Sequence, residues 1–353
     1  MVAQSLWKWP TNDLSKLMSK PKDGTHTRYS LDDQKPEAGE NTRRNQSIVV
    51  VTMKAVLQVT LKIISSVEFI IGILGNTFMA LVNIVDWMKR GKISAVDKIH
   101  TALAISRTAF LLSVISILLV SLRNNDSLEK ITMIRMQTIP WTVTNHFSVW
   151  LATCLSMFYF LKIANFSNSI FRVLKWKVNR VVSVTLALSL IILFINIIVI
   201  KIFTDRLQEN TLHTFSSNNT VNVHRLFLLI NSVFTFIPFT VSLTMFLLLI
   251  FSLWRHLKNM QHNATGSRDV CTMAHIKSLQ TVVTFLLLYT GFFMSLLLQS
   301  LNINSQYKNL ITVFLRSIGI AFPSCHSCVL ILANSKLRQA FLSVLWWLRY
   351  KHR

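Results

Sequence analysis

Charged side chains are scarce in this sequence, and acidic ones are scarcest. Only 14% of the 353 residues are charged, and 14 Asp and Glu face 37 Lys and Arg, which gives a formal net charge of +23. A soluble domain of this size carries about 25% charged residues. Because 52% of the residues are hydrophobic and lie in long runs, the composition excludes an ordinary soluble domain and predicts a polytopic membrane protein.

Cysteine is also rare, which limits disulfide and metal chemistry. The four cysteines are Cys154, Cys271, Cys325 and Cys328. None falls in a loop predicted below to lie outside the cell, so a disulfide between outside loops is excluded. The last two have CxxC spacing but lie in an apolar run without further ligands, so we interpret them as small buried side chains. We predict no metal and no cofactor.

Catalytic and nucleic-acid-binding signatures are missing as well. The sequence contains no HExxH, no GxSxG, no Walker loop and no paired intramembrane Asp, and His275 and His326 lie in separate spans. We therefore predict that the protein is not an enzyme. The bases are spread between apolar runs, a pattern that fits loop charge setting membrane orientation and not a nucleic-acid partner.

Seven long apolar segments predict an all-α, seven-transmembrane helix bundle in the plasma membrane. Each is long enough to cross about 30 Å of hydrocarbon. The predicted spans are 59–85, 97–122, 138–163, 182–203, 226–253, 277–298 and 309–332. Basic residues cluster in the connectors after spans one, three, five and seven, so the positive-inside rule predicts an extracellular N-terminus and a cytosolic C-terminus.

The two ends of the chain differ from the spans. Residues 1–52 are polar and of mixed charge, and we predict a disordered N-terminal extension before a seven-transmembrane domain at 53–353. Met53 is a plausible alternative start. The last residues alternate bases with Leu, Phe and Trp, which predicts a short amphipathic helix on the lipid of the cytosolic leaflet; a disordered basic tail is the alternative.

Topology selects among five glycosylation sequons. Asn218 lies in the second outside loop, where the glycosylation machinery can reach it. Asn45 and Asn125 are also outside, the latter close to the membrane. Asn165 and Asn263 face the cytosol or its boundary, so we expect them to stay unmodified.

Three polar residues inside the spans predict an internal network. Asn76 lies in span one, Arg107 in span two and Ser327 in span seven. Polar groups at membrane depth need partners, and a buried guanidinium needs several acceptors. We interpret the three as a structural network in which Arg107 is bonded to Asn76 and to groups on span seven such as Ser327. Such a network is compatible with a switch if it has two arrangements.

Span three carries the candidate binding residues. Trp141 and Asn145 are four residues apart near its outside end, so they share one helix face and suit a cavity wall, aromatic for contact area and amide for orientation. Phe292 in span six is a further candidate, although packing is the commoner role. Arg316 in span seven must face protein or water; it contacts ligand or pairs with Glu68.

Several sequence blocks resemble a known family. They are IGILGNTFMALVNIVDW, LAISR, KIANFSN, HIKSLQTV and FPSCHSCVLILANSKLRQAF, in this order between Met53 and Tyr350. The chain resembles the bitter taste receptors, the taste receptor type 2 family of G-protein-coupled receptors. Like that family, it lacks DRY, NPxxY and a loop disulfide.

The resemblance implies an outward-facing cavity for small-molecule bitter agonists and coupling to a gustducin-like heterotrimeric G protein. Trp141 and Asn145 match the pocket positions of the family, and Asn218 matches its usual glycosylated asparagine. Arg316 stands where some members have Glu, which disfavours cationic ligands near it. The G-protein-facing candidates are Lys162, Asn165, Ser167, His275 and Lys277.

Two alternatives stay open at this point. A vomeronasal type 1-like pheromone receptor shares the architecture. A small-solute transporter is a different class, and it often shows internal repeats and discontinuous helices. We find no convincing internal repeat in the sequence.

Overall fold

The computed structural model describes residues 35–123, 127–164, 168–212, 218–263, 268–301 and 307–351. These residues form nine helices and no strand. The helices are α1 (Lys35–Arg90), α2 (Ala95–Arg123), α3 (Ser127–Ile163), α4 (Ser169–Trp176), α5 (Val178–Leu212), α6 (Asn218–Asn263), α7 (Arg268–Ser300), α8 (Lys308–Ala333) and α9 (Ser335–Lys351).

Seven of these helices are long and apolar enough to cross a membrane. The crossing segments are Arg43–Arg90, Ala95–Ile117, Met136–Ile163, Val178–Arg206, His224–Arg255, Gln280–Ser300 and Lys308–Ala333. Each overlaps one predicted span, so the prediction of an all-α, seven-span bundle is confirmed. The spanning helices are α1, α2, α3, α5, α6, α7 and α8.

Helix α1 begins earlier than the composition predicted. The chain divides into two compact units, Met1–Lys54 and Ala55–Arg353. In the first unit, residues 35–52 are helical, whereas their polar composition had predicted disorder. Between residues 40 and 71 the sequence has no Gly or Pro, so nothing in the backbone chemistry ends the helix there.

Helix α3 lies at the centre of the second unit. It is the most buried of the seven spans in the described part of the chain, and it packs against α2, α5 and α6. Hydroxyl groups fix the contact with α6: Thr153 Oγ1 donates to the carbonyl of Pro238 at 3.3 Å, and Ser242 Oγ donates to Thr153 Oγ1 at 2.9 Å. These two hydrogen bonds fix the position of α3 along the axis of α6.

Helix α9 starts directly after the last span. The Asn334 side chain caps it, accepting from the backbone N–H of Lys336 at 3.0 Å and of Leu337 at 3.4 Å. Lys336 Nζ then pairs with Asp86 at 2.8 Å and with Asp97 at 3.2 Å. One lysine thereby ties the start of α9 to the end of α1 and the start of α2.

Candidate functional site

Four aromatic side chains from four spans meet near the predicted outside end of the bundle. The ring of Trp141 on α3 lies 5.7 Å from Phe110 on α2 and 5.2 Å from Phe227 on α6, and Phe110 lies 6.4 Å from Phe292 on α7. All four are buried. We call Phe110, Trp141, Phe227 and Phe292 the outer aromatic cluster. It is the place where α2, α3, α6 and α7 all contribute to one surface.

Asn145 lies one turn deeper on α3 and lines a polar cavity of about 10 Å³. The cavity is shared with Thr142, His146, Asn196 and Asn231, which are all buried. Asn145 Oδ1, Thr142 Oγ1, His146 Nε2 and Asn196 Oδ1 have no protein hydrogen-bond partner among the described residues. Burying a polar atom without a hydrogen-bond partner costs free energy. A ligand whose polar groups hydrogen-bond to these atoms would therefore be stabilised here.

Arg316 connects to the cluster through another ring. It lies close enough to His224 to interact with it electrostatically, and His224 stacks on Phe227 with ring centroids 6.4 Å apart. Glu68 instead accepts a hydrogen bond from Ser317 at 3.0 Å. In the described part of the chain, no ion pair joins Glu68 to Arg316, so the geometry favours a position of Arg316 near the cluster.

A column of rings continues from the cluster towards the middle of the bundle. Phe292 stacks on Phe322 at 5.1 Å, and Phe322 contacts Tyr289 at 5.2 Å and His326 at 5.9 Å. The guanidinium of Arg107 lies 5.0 Å from the centre of the Phe322 ring. Each ring touches the next, so the outer cluster and Arg107 are in continuous contact.

The predicted internal polar residues are all buried, but their pairing differs in part from the expectation. Ser327 Oγ donates to Asn76 Oδ1 at 2.7 Å, and Asn76 Nδ2 donates to the carbonyl of Pro323 at 3.3 Å. Arg107 Nη1 lies 2.5 Å from His326 Nδ1, while its Nε and Nη2 have no hydrogen-bond partner among the described residues. Arg107 therefore contacts His326 instead of Asn76 or Ser327.

The cytosolic end of α3 is held by a lysine. Lys175 Nζ of α4 donates to the carbonyl of Ala164 at 3.1 Å, directly after the end of α3. Lys162 is exposed, and its Nζ lies 5.9 Å from the centre of the Phe158 ring. Lys162 is thus open to a partner on this side of the bundle.

Other predicted residues lie outside the described part of the structure. Asn165 and Ser167 belong to the segment between α3 and α4 that is not described. The backbone at Asn218, His275 and Lys277 is helical, but their side chains are likewise outside the description.

Five residues of the outer aromatic cluster and the column were missed by the sequence reasoning: Phe110, Phe227, Tyr289, Phe322 and His326. Phe110 follows Arg107 by three residues on α2, and Tyr289 precedes Phe292 by three on α7, so helical spacing could have placed these two on faces with known candidates. Phe227 carries no comparable signal, because only packing of α6 against α3 brings it to Trp141.

Comparison with known proteins identifies the family of this chain. The family described as "Taste receptor protein (TAS2R)" matches residues 53–349. Taste receptor type 2 member 103 of Mus musculus is 70% identical over 305 residues, which is 86% of this chain and 98% of that protein. Member 140 of Rattus norvegicus is 56% identical over 84% and 96% of the two chains, and member 14 of Macaca mulatta is 50% identical over 85% and 95%.

Seven helices that are long and apolar enough to cross a membrane make the chain a heptahelical membrane protein. The chain belongs to the taste receptor type 2 family. It is therefore a multi-pass bitter taste receptor of the plasma membrane, coupled to a G protein and activated by small molecules, and not an enzyme. The match decides against the vomeronasal and transporter alternatives.

Proposed function

We propose that bitter compounds bind at the outer aromatic cluster, in a cavity that opens to the outside, and that binding activates a gustducin-type G protein. The observation that carries the proposal is the continuous ring contact from Trp141 to Phe322 and Arg107. A ligand that displaces one ring at the cluster changes the packing of the rings below it. Aromatic side chains offer contact area, and Asn145 offers an amide that orients the ligand.

The cavity beside Asn145 is too small to hold a ligand, so the binding site must open before a ligand can enter. The space beside Asn145 is about 10 Å³, room for about one water, whereas ligand pockets measure roughly 300–1,000 Å³. Ligand binding therefore favours an arrangement in which the cluster is spread apart. A ligand shifts this balance only by its difference in affinity for the two arrangements.

Charge at the cluster sets a preference among ligands. Arg316 approaches the cluster through His224 and Phe227, and it has no carboxylate partner among the described residues. A guanidinium attracts anions and repels cations, more strongly where water is excluded. We expect acidic or neutral agonists to be preferred at this site over cationic ones.

Transmission to the cytosol involves the buried polar network and the inner ends of the spans. Asn76, Arg107 and Ser327 lie between the cluster and the cytosolic ends, where a network with two arrangements acts as a switch. The G protein then contacts the inner ends of α3 and α7, at Lys162, Asn165, Ser167, His275 and Lys277. Gustducin-type coupling is the family expectation for this face.

Residues 53–353 form the receptor domain, and residues 1–52 are dispensable for signalling. This assignment is supported by the family match from residue 53 and by the boundary between compact units at Lys54. The amphipathic α9 lies on the cytosolic leaflet, since its Trp346 and Trp347 are exposed in a helix that also carries Arg349 and Lys351.

A calcium-release assay in cells with a gustducin-like chimeric G protein tests the binding site. With an agonist found in a bitter-compound panel, we expect Trp141→Ala and Asn145→Ala each to lower potency about two- to tenfold, because an aromatic contact or a hydrogen bond contributes roughly 0.5–1.5 kcal/mol. Phe194→Ala, on the exposed side of α5, is the control. Unchanged potency in both variants at normal surface expression would reject the cluster as the binding site.

A further inference from the structure

A second cavity lies on the side of the bundle, between α1, α7 and α8. Its volume is about 360 Å³. Ile64 of α1, Leu287 of α7 and Phe314 of α8 are among its apolar lining, and Glu68 and Ser317 are its polar residues. We call this cavity the lateral groove. It shares no lining residue with the outer aromatic cluster or with the cavity beside Asn145.

The lateral groove opens towards the lipid. Its lining residues Ile64, Leu287 and Phe314 are 43%, 68% and 50% exposed, and all three lie within membrane-spanning segments. Exposed apolar side chains on a membrane-spanning face contact acyl chains. A molecule dissolved in the bilayer therefore reaches the groove without passing through water.

Glu68 is an acidic residue on this otherwise apolar, lipid-facing surface. Ser317, its hydrogen-bond partner, lies about 14 Å along α8 from Lys308 at 1.5 Å per residue, well inside the hydrocarbon. Ser317 Oγ donates to Glu68 Oε2 at 3.0 Å, and Oε1 has no partner among the described residues. Acidic groups at this depth are rare and mark functional sites, because an unpaired charge in lipid is costly.

We propose that the lateral groove binds lipophilic amines from the bilayer, with the protonated amine on Glu68 and the apolar body along Ile64, Leu287 and Phe314. The volume is in the range of small-molecule sites, and the charge is complementary. A neutral sterol hydroxyl fills the same space but, unlike a protonated amine, offers no positive charge to stabilise the ionised form of Glu68. The preference is opposite to that at the outer aromatic cluster, where Arg316 disfavours cations.

Photo-crosslinking of the full-length receptor in lipid nanodiscs tests the proposal without a signalling readout. The probes are a diazirine-bearing alkyl tertiary amine and its uncharged amide analogue with the same tail. We expect the amine to label peptides of α1, α7 and α8 at the groove at least tenfold more than the amide does. Glu68→Gln reduces amine labelling to the level of the amide, and Glu68→Asp retains most of it.

A filling variant tests the location. Ala321 lines the groove, so Ala321→Leu occupies part of the volume and lowers amine labelling severalfold. Ala187→Leu is the matched control, since Ala187 is an exposed alanine on α5, away from the groove. Both variants are compared at equal thermal stability and surface expression.

Three results overturn the proposal. Equal labelling by amine and amide on the unmodified receptor rejects the charge preference, and that comparison needs no variant. Amine labelling that is unchanged in Glu68→Gln rejects the role of the carboxylate. If a diazirine sterol labels the groove more strongly than the amine does, and this labelling does not depend on Glu68, then the groove binds sterol and the proposal is wrong. None of these depends on whether the outer aromatic cluster binds agonist.

Discussion

Arg107 has the most demanding environment of any single residue described. It is fully buried, and among the described residues only one of its nitrogens has a hydrogen-bond partner, His326 Nδ1. Since Arg only donates, Nδ1 must be the unprotonated ring nitrogen, which fixes the tautomer of His326. The guanidinium of Arg107 also lies 5.0 Å from the centre of the Phe322 ring, which stabilises its charge by a cation–π interaction.

Removal of this acceptor should destabilise the receptor. We expect His326→Leu to lower the free energy of unfolding by about 1–3 kcal/mol, because the guanidinium of Arg107 then lacks its hydrogen-bond acceptor. His326→Asn, which retains an acceptor, should recover part of the loss. Thermal unfolding of detergent-purified receptor measures both. Equal stability of His326→Leu and the unmodified receptor would show that the Phe322 ring alone is enough to stabilise the buried guanidinium of Arg107.

At this scale the sequence reasoning found residues better than partners. Trp141 and Asn145 could be placed on one face because helical spacing is fixed by backbone geometry. The pairing of Arg107 with His326 could not, because it depends on the rotation of α2 and α8 about their own axes. For the same reason, the sequence alone could not decide whether Arg316 pairs with Glu68 or lies near His224 and the outer aromatic cluster.

Among the helices, the packing of α1 on α8 depends on a glycine. A methyl group at Gly72 would lie 2.8 Å from Leu111 Cδ1 and 3.1 Å from Ser324 Cβ, closer than van der Waals contact allows. At Gly75, one turn further along α1, the nearest atom of Ile331 is 3.8 Å away. The two glycines are therefore a natural pair for comparison.

We predict opposite effects of alanine at these positions. Gly72→Ala should destabilise the bundle by about 1–3 kcal/mol through overpacking. Gly75→Ala should be neutral or stabilising by up to about 1 kcal/mol, because alanine favours helix and its methyl group has room. Surface expression and thermal unfolding provide the comparison. Equal loss in both variants would indicate a general intolerance of α1 to side chains.

A second prediction for the helices concerns the attachment of α9. Lys336→Met removes both ion pairs to Asp86 and Asp97, so amide exchange in α9 should become faster. Lys336 is about a quarter exposed, so water screens both ion pairs and the loss of stability is modest. Lys351→Met, at the far end of the same helix, is the control. Unchanged exchange after Lys336→Met would mean that the Asn334 cap alone holds α9.

The helices themselves were predictable because the bilayer sets their length. All seven spans could be recognised from apolar runs of roughly 20 residues. The start of α1 at Lys35 could not, since polar composition signals only that a segment lacks a buried face, whereas the stretch between residues 40 and 71 has no Gly or Pro to end the helix.

For the whole molecule, orientation across the membrane makes a clear prediction. Asn218 precedes the fifth span on the predicted outside, and Asn263 follows it on the cytosolic side. Asn218→Gln should therefore remove one glycan and increase gel mobility, as glycosidase treatment does, while Asn263→Gln should leave mobility unchanged. A shift with Asn263→Gln would invert the predicted topology.

The column of rings from Trp141 to Phe322 also has a pharmacological consequence. The outer aromatic cluster is nearly filled by its own side chains, and Phe292 belongs both to the cluster and to the stack on Phe322. A compound that separates Trp141 from Phe227 but leaves Phe292 in place occupies the site without disturbing Arg107. Small changes in the bulk of a ligand should thus convert agonists into silent blockers.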